Sequence, residues 1–173
     1  HPARQVRNYN MKNTILIGLL FLGSACATAD VVRHPLPGGS TFPIAQAVEV
    51  SSGTTLVYHS GTLPGPANPD AEQGSREYWG DTEAQAESVF ARMEASLSNL
   101  GLGFGDIVKM TVFLVGDPEN GGRMDFAGFM RSYSKYFGTE EQPNKPARSA
   151  FQIAALARPN VFIEIEVVLA RPE

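Results

Sequence analysis

The segment Val161–Ala170, with the sequence VFIEIEVVLA, constrains the fold more than any other part of the chain. Successive side chains of a β-strand point to opposite faces of the sheet. In this segment the apolar residues fall on one face and the acidic residues on the other: Ile163, Ile165, Val167 and Leu169 against Glu164 and Glu166. One face must therefore be covered by other elements, while the other carries charge. This pattern favours a sheet with its helices on a single side.

Two amphipathic helices can supply that cover. The first begins at Asp81 or Thr82, which suit a cap, and ends at Gly101. The second ends at Gly138. Apolar residues recur at helical spacing in both. They are Ala86, Val89, Phe90, Met93, Leu97 and Leu100 in the first helix, and Phe126, Phe129, Met130, Tyr133, Tyr136 and Phe137 in the second.

Four further segments complete the expected sheet and its connections. AQAVEV (45–50) and TTLVYHSG (54–61) flank the turn 51–53 and predict a β-hairpin. DIVKMTVFLVG (106–116) and RSAFQIAAL (148–156) are rich in strand-forming residues, and the Pro- and Gly-rich stretch 63–80 predicts a long surface loop. The expected class is α+β, with one sheet and two helices on one face.

The N-terminal region has the pattern of a secretory signal. Residues 1–10 precede a plausible start methionine and are interpreted as a non-native or upstream leader. A basic start at 11–13, the apolar run ILIGLLFLG and the small residues SACATA follow in the order of a signal peptide over 11–29. Cleavage after Ala29 would leave a domain over 30–173, exported to the bacterial periplasm. Cys26, the only cysteine, is either an ordinary small residue of the cleavage region or a lipid-acylated membrane anchor.

Charge and motifs exclude several functional classes. Residues 30–173 carry 11 basic and 18 acidic residues, a net charge of −7, which argues against nucleic acid as a partner. The sequence lacks a phosphate-binding loop, a dinucleotide fingerprint, a serine-hydrolase elbow and a zinc-protease motif, and it gives no support to a hydrolase triad or a metal site. His59 is interpreted as a polar group at a strand end rather than a catalytic base.

Two charges at expected strand positions are candidates for a site. Arg148 follows a proline at a strand entry, and Glu164 lies on the face opposite the core row. An arginine can bind a carboxylate through two hydrogen bonds. On the residues alone, a structural salt bridge between neighbouring strands and a shared functional site both stay open.

The stretch PARSAFQIAALARPNVFIEIEV (146–167) resembles the closing signature of the RidA/YjgF reactive-intermediate deaminase family, also known as the endoribonuclease L-PSP family. FPIAQAVEV, TLVYHSGTLP, DIVKMTVFLVGD and FAGFMRSYSKYF are similar to earlier segments of that family, so the resemblance covers about 41–171. It implies a chorismate-mutase-like fold, a homotrimer with clefts between subunits, and hydrolysis of enamines or imines to keto acids and ammonia without a cofactor. It also implies that Arg148 binds the substrate carboxylate, that Glu164 orients or activates water, and that Ser60 and Gly61 line the cleft.

Three positions depart from the family pattern. Ile44 stands where a tyrosine is usual, Met130 where an asparagine is usual, and Ala150 where a cysteine is frequent. If they line the substrate-binding site, they favour a larger or less polar substrate; Ile44 and Met130 could equally belong to the core. Two alternatives to a deaminase follow: a non-catalytic trimer that binds carboxylate ligands or acts as a chaperone-like scavenger, and an endoribonuclease, which the acidic balance disfavours.

Overall fold

The computed structural model describes residues 30–172. The predicted leader, the signal peptide and Cys26 lie outside the described residues. No helix within 30–172 is long and apolar enough to cross a membrane. The same range contains no group of three or more His, Cys, Asp or Glu side chains placed to hold a metal ion.

Six strands of the described chain form one mixed sheet. In chain order they are β1 (Val31–Pro35), β2 (Ala45–Val50), β3 (Leu56–Thr62), β4 (Ile107–Val115), β5 (Ala147–Ile153) and β6 (Ile163–Ala170). Their spatial order is β1-β2-β5-β4-β6-β3. Strand β5 pairs in parallel with β4 and, through one residue pair, with β2, whereas the remaining pairs are antiparallel.

Helices cover one face of this sheet. They are α2 (Thr82–Asn99) and α3 (Phe126–Tyr133), which ends before the predicted Gly138. A single helical turn, α1 (Arg76–Trp79), lies within the stretch 63–80 that was predicted to be a loop. The two longer helices begin at aspartates, since Asp81 accepts from the Ala84 N–H at 2.9 Å and Asp125 from the Gly128 N–H at 2.8 Å. Together with the sheet they make the expected α+β architecture.

The core lies between the sheet and α2 and α3. The predicted alternation in β6 is confirmed, because Ile163, Ile165 and Leu169 are fully buried while Glu166 is exposed. Strand β4 alternates in the same way, with the even-numbered residues from Met110 to Leu114 in the core. The odd-numbered residues of β4 therefore lie on the open face of the sheet.

The expected hairpin between β2 and β3 is wrong. Strand β2 pairs with β1 and β5, whereas β3 pairs with β6 at the far edge of the sheet. Strand β1, which the sequence did not indicate, is the antiparallel partner of β2. It is held by Arg33, whose guanidinium donates to the carbonyls of Gly105, Ile107 and Lys145 at 2.8–2.9 Å.

Candidate active site

Arg148 lies on the helix-covered side of the sheet. It is the second residue of β5, directly after Pro146–Ala147, and pairs with the core residue Met110 of β4. Paired residues of neighbouring strands point to the same face. The Arg148 side chain therefore extends towards α3.

Aromatic rings surround the Arg148 guanidinium. Its central carbon lies 4.2 Å from the ring centre of Tyr133 and 5.1 Å from that of Phe129. Phe42 and Phe126 lie at 5.4 and 5.8 Å. Each distance is within the range of a favourable cation–π contact.

Within residues 30–172 no carboxylate forms an ion pair with Arg148. Its Nη1 donates to the thioether sulfur of Met130 at 3.3 Å, and the guanidinium also interacts with the Tyr133 hydroxyl. Burial lowers the pKa of the guanidinium, although the interaction with Tyr133 opposes that shift. Arginine stays charged at neutral pH even so, which leaves a half-buried cation with free N–H donors.

Glu164 lies on the open face of the sheet. It pairs with Phe113 of β4, whose ring contacts the exposed ring of Phe151 on β5. The Glu164 carboxylate packs against Gly61, where a Cβ atom would collide with Oε1. The residue at position 61 must therefore be glycine for this carboxylate to keep its place.

An irregularity in β3 creates that close approach. The β3–β6 register shifts between His59 and Thr62, so that Ser60 and Gly61 form a bulge opposite β6. Bulges of this kind redirect side chains and often lie beside active sites. Ser60 lines a cavity of about 390 Å³ on the open face, together with Lys109, Thr111 and Glu166.

The predicted site residues form two groups in one chain. Arg148, Ile44, Met130 and Ala150 lie on the helix side, where the last three pack against the core. Ser60, Gly61 and Glu164 lie at the β3–β6 edge. A single chain does not bring Arg148 and Glu164 together, and the simple salt bridge between neighbouring strands is not found because β4 separates β5 from β6.

His59 connects the bulge to α2. Its Nδ1 lies 2.9 Å from the Ser60 carbonyl oxygen, which can only accept, so Nδ1 carries the proton and Nε2 accepts from the Ser96 hydroxyl at 2.9 Å. Both nitrogens are thus used to join the strand to the helix. The interpretation of His59 as a polar group at a strand end agrees with this geometry.

Sequence reasoning missed the rings around Arg148. Phe126, Phe129 and Tyr133 were assigned to the core by their helical spacing, and Phe42 was not singled out. The spacing of the aromatic residues in α3 could have indicated these contacts. Residues three and four apart share one face of a helix, and this face packs against the start of the strand that follows Pro146. Tyr133 is fully buried, whereas Phe42 is 38% exposed.

Comparison with known proteins agrees with the fold. Residues 40–171 match the sequence model of the family described as Endoribonuclease L-PSP. A RutC family protein of Haemophilus influenzae is 36% identical over 129 residues, which cover 75% of this chain and 87% of that protein. TdcF of Escherichia coli K12, named as a candidate reactive intermediate deaminase, is 33% identical over 133 residues, which cover 77% of this chain and 90% of TdcF.

A solved structure extends the comparison to three dimensions. The crystal structure of Escherichia coli TdcF with bound serine superposes with a TM-score of 0.52 at 31% identity, and covers 81% of this chain and 94% of that chain. The match to the family model spans most of the described residues, including β5 and β6. The chain therefore belongs to the RidA/YjgF family.

Proposed function

We propose that this protein hydrolyses reactive 2-imino or 2-enamino acids to 2-keto acids and ammonia. The observation that carries the proposal is the half-buried Arg148 guanidinium, which has no carboxylate partner among residues 30–172. A buried cation without a counter-charge is costly, so an anionic ligand stabilises it. The similarity to TdcF supports a small imino acid as the class of ligand.

In the proposed reaction Arg148 binds the substrate carboxylate and Glu164 holds a water molecule. The water oxygen adds to the imine carbon, while a proton passes through the Glu164 carboxylate to the imine nitrogen. The hydroxyl proton of the resulting carbinolamine then passes to the amine nitrogen, the C–N bond breaks, ammonia leaves, and the carbon becomes the keto carbonyl. The imine is already electrophilic, so positioning and one proton-transfer group suffice.

The site is proposed to form between copies of the chain. Arg148 and Glu164 lie on opposite faces of one sheet, so a ligand that contacts both must lie between two chains. Partly exposed apolar side chains on the open face, including Phe151, are consistent with contact to a second copy. A homotrimer with three such clefts is the arrangement that the family resemblance implies.

The surroundings of Arg148 favour an apolar substrate. Phe42 is 38% exposed and Met130 is only partly buried, and both contact Arg148, so apolar surface adjoins the unpaired cation. A ligand with a carboxylate at one end and an aliphatic or aromatic side chain at the other would use both features. We therefore propose imino acids larger than the three-carbon iminopropionate as preferred substrates.

The decisive experiment measures the decay of imino acids generated in place by an amino-acid oxidase. Wild-type protein should accelerate the decay of the leucine-derived imine more than that of iminopropionate, and Arg148→Ala should abolish the acceleration. Arg123→Ala is a suitable control, because it removes an exposed arginine on the loop before α3. Equal rates for wild type and Arg148→Ala would refute the proposed reaction.

A non-catalytic binding protein is the second candidate, and the hydrogen bond from Arg148 to the Met130 sulfur favours it. Sulfur gives that guanidinium a weak acceptor and supplies no proton-transfer group. Calorimetry with pyruvate, 4-methyl-2-oxopentanoate and 2-oxoglutarate separates the candidates. Binding that depends on Arg148, without any acceleration of imine decay, would select the binding protein over the enzyme.

Export is proposed from the signal pattern at 11–29. Expression of the complete chain in a Gram-negative host tests it. A periplasmic product that begins at Asp30 supports a cleaved soluble form, and a fatty-acylated Cys26 supports a lipoprotein. An uncleaved cytoplasmic product would refute export.

A further inference from the structure

Tyr133 contacts both the Arg148 guanidinium and the segment 42–44, which carries the apolar residue Phe42. It is the last residue of α3 and is fully buried. Its ring lies 4.2 Å from the Arg148 guanidinium carbon, and its hydroxyl donates to the Pro43 carbonyl at 2.7 Å. The ring of Phe137 stacks on it with centres 4.6 Å apart and planes 14° from parallel.

We propose that Tyr133 is a positioning residue that sets the Arg148 guanidinium and the segment 42–44 at a fixed separation. This role rests on the proposed function, because it concerns recognition of a ligand with a carboxylate and an apolar end. Tyr133 does not touch the reacting atoms. It acts through Arg148 on the carboxylate end, and through Pro43 on the apolar end.

The Tyr133 ring holds the Arg148 guanidinium in position. Arginine has five N–H donors, and Tyr133 offers it the face of its ring and a single hydroxyl oxygen. Contact with Tyr133 therefore restrains the guanidinium while leaving donors for an incoming carboxylate. An acidic residue at position 133 would hold Arg148 as firmly but would occupy those donors.

The Tyr133 hydroxyl holds the segment 42–44 in position. Pro43 separates the two apolar residues Phe42 and Ile44, so a hydrogen bond to its carbonyl fixes both. Gly138 meets the same proline from the turn after α3, where a Cβ would lie 3.2 Å from the Pro43 Cβ. The segment 42–44 is thus held by the end of α3 rather than by strand pairing.

The protonation state of Tyr133 is compatible with both contacts. Burial raises the pKa of its hydroxyl far above neutrality, and the nearby Arg148 charge only partly offsets that rise. The phenol is therefore neutral under ordinary conditions. It remains a donor to Pro43 and leaves the positive charge of Arg148 for a ligand.

Two substitutions separate the ring from the hydroxyl. Tyr133→Phe keeps the ring and loses the bond to Pro43, so affinity for 4-methyl-2-oxopentanoate should fall about 3- to 10-fold while affinity for pyruvate changes little. Tyr133→Leu loses both contacts, so affinity for both keto acids should fall about 10-fold or more. Calorimetry measures both series.

Tyr136→Phe is the matched control. It removes a hydroxyl that donates to Glu87 at 2.6 Å, three residues further along and away from Arg148. It should lower thermal stability about as much as Tyr133→Phe does and leave keto-acid affinity unchanged. If both Tyr133 variants bind keto acids as Tyr136→Phe does, the positioning role is refuted.

A second measurement needs no ligand. The Nε–H proton of Arg148 should resonate upfield in the NMR spectrum because aromatic rings surround it, and it should move downfield in Tyr133→Leu but not in Tyr136→Phe. An unchanged resonance in Tyr133→Leu overturns the proposal. A wild-type protein that binds no keto acid but shows this NMR change argues against the proposed function, and leaves the contact between Tyr133 and Arg148 in place.

Discussion

Arg148 and Glu164 lie on opposite faces of the same sheet, separated by β4. Arg148 pairs with the buried Met110, whereas Glu164 pairs with Phe113 on the open face. No side-chain rotation exchanges faces in a packed sheet. If both residues serve one substrate, each must therefore be supplied by a different copy of the chain.

Mixed oligomers of two variants test whether Arg148 and Glu164 act together from different chains. Arg148→Ala and Glu164→Ala chains should each be inactive alone, but co-expression in equal amounts should restore activity. In the proposed cyclic trimer a functional cleft needs Arg148 from one chain and Glu164 from its neighbour, so random assembly should give about one quarter of the wild-type rate. Co-expression of Arg148→Ala with the double variant provides the control and should restore nothing. Failure of the first mixture, with mixed oligomers verified by mass spectrometry, contradicts a site shared between chains.

Gly61→Ala should move the Glu164 carboxylate. The added Cβ would collide with Oε1, and because β6 is held on both sides by neighbouring strands, the flexible glutamate must shift instead. We expect kcat for imine hydrolysis to fall about 10-fold or more, as for loss of a proton-transfer group, with Tm reduced by only a few degrees.

Gly65→Ala is the control for that substitution. An added Cβ at position 65 meets its nearest neighbour, the Ser88 hydroxyl, at an ordinary 3.5 Å. The rate of imine hydrolysis and the Tm of Gly65→Ala should stay close to those of wild type. A fully active Gly61→Ala protein would show that the position of Glu164 is not needed for catalysis.

The sequence predicted the two longer helices and five of the six strands, but neither β1 nor α1 nor the order of the strands in the sheet. Alternation in β6 and helical spacing in α2 identify the core because burial imposes those periods locally. Pairing of β2 with β1 and β5 depends instead on contacts distant in sequence. Arg33 illustrates the difficulty, since three backbone carbonyls satisfy its charge and no residue type marks such acceptors.

The same limit applies to the site. Pro146 indicated a strand entry beside Arg148, and the structure places Arg148 at the start of β5. The strand faces of Arg148 and Glu164 follow from register across β4, which a single strand does not reveal. The ring contacts of Arg148 were hidden because aromatic residues that pack on a cation and aromatic residues that pack on one another have the same spacing in α3.

Acid should weaken the attachment of α1 to the end of β4. Arg76 donates two hydrogen bonds to Asp117, at 2.6 and 2.9 Å, and these lower the pKa of the Asp117 carboxyl despite its burial. A carboxyl whose folded pKa is depressed contributes stability above its unfolded pKa, near 4, and loses that contribution as pH falls through the folded value. Asp117→Asn should therefore lower stability by about 2 kcal/mol at pH 7 and show a smaller further loss than wild type between pH 5 and pH 3.

Glu119→Gln separates the buried carboxylate from the exposed one. Glu119 also pairs with Arg76, at 3.0 Å, but its side chain is 68% exposed. Solvent-exposed pairs contribute little, so its Tm and its acid profile should stay close to wild type. Thermal unfolding followed by circular dichroism at several pH values measures all three proteins. If wild type and Asp117→Asn lose the same stability between pH 5 and pH 3, protonation of Asp117 is not the cause of that loss.

Gln85 should be the most sensitive polar residue of the core. Its amide nitrogen donates to the carbonyls of Gly80 and Asn160, and its amide oxygen accepts from the Phe162 N–H at 2.7 Å. The side chain is fully buried, so Gln85→Leu leaves backbone groups without partners away from water. We expect a loss of about 3 kcal/mol in the free energy of unfolding.

Gln152→Leu is the control for Gln85→Leu. It removes two comparable bonds, to Gly122 and Met124, at an exposed position where water replaces them, and should cost less than about 1 kcal/mol. Urea unfolding measures both, and similar losses for the two variants would refute the special role of the buried amide. The α2 start, the 63–80 segment and the entry to β6 meet at Gln85, so hydrogen exchange should become faster in all three when it is replaced.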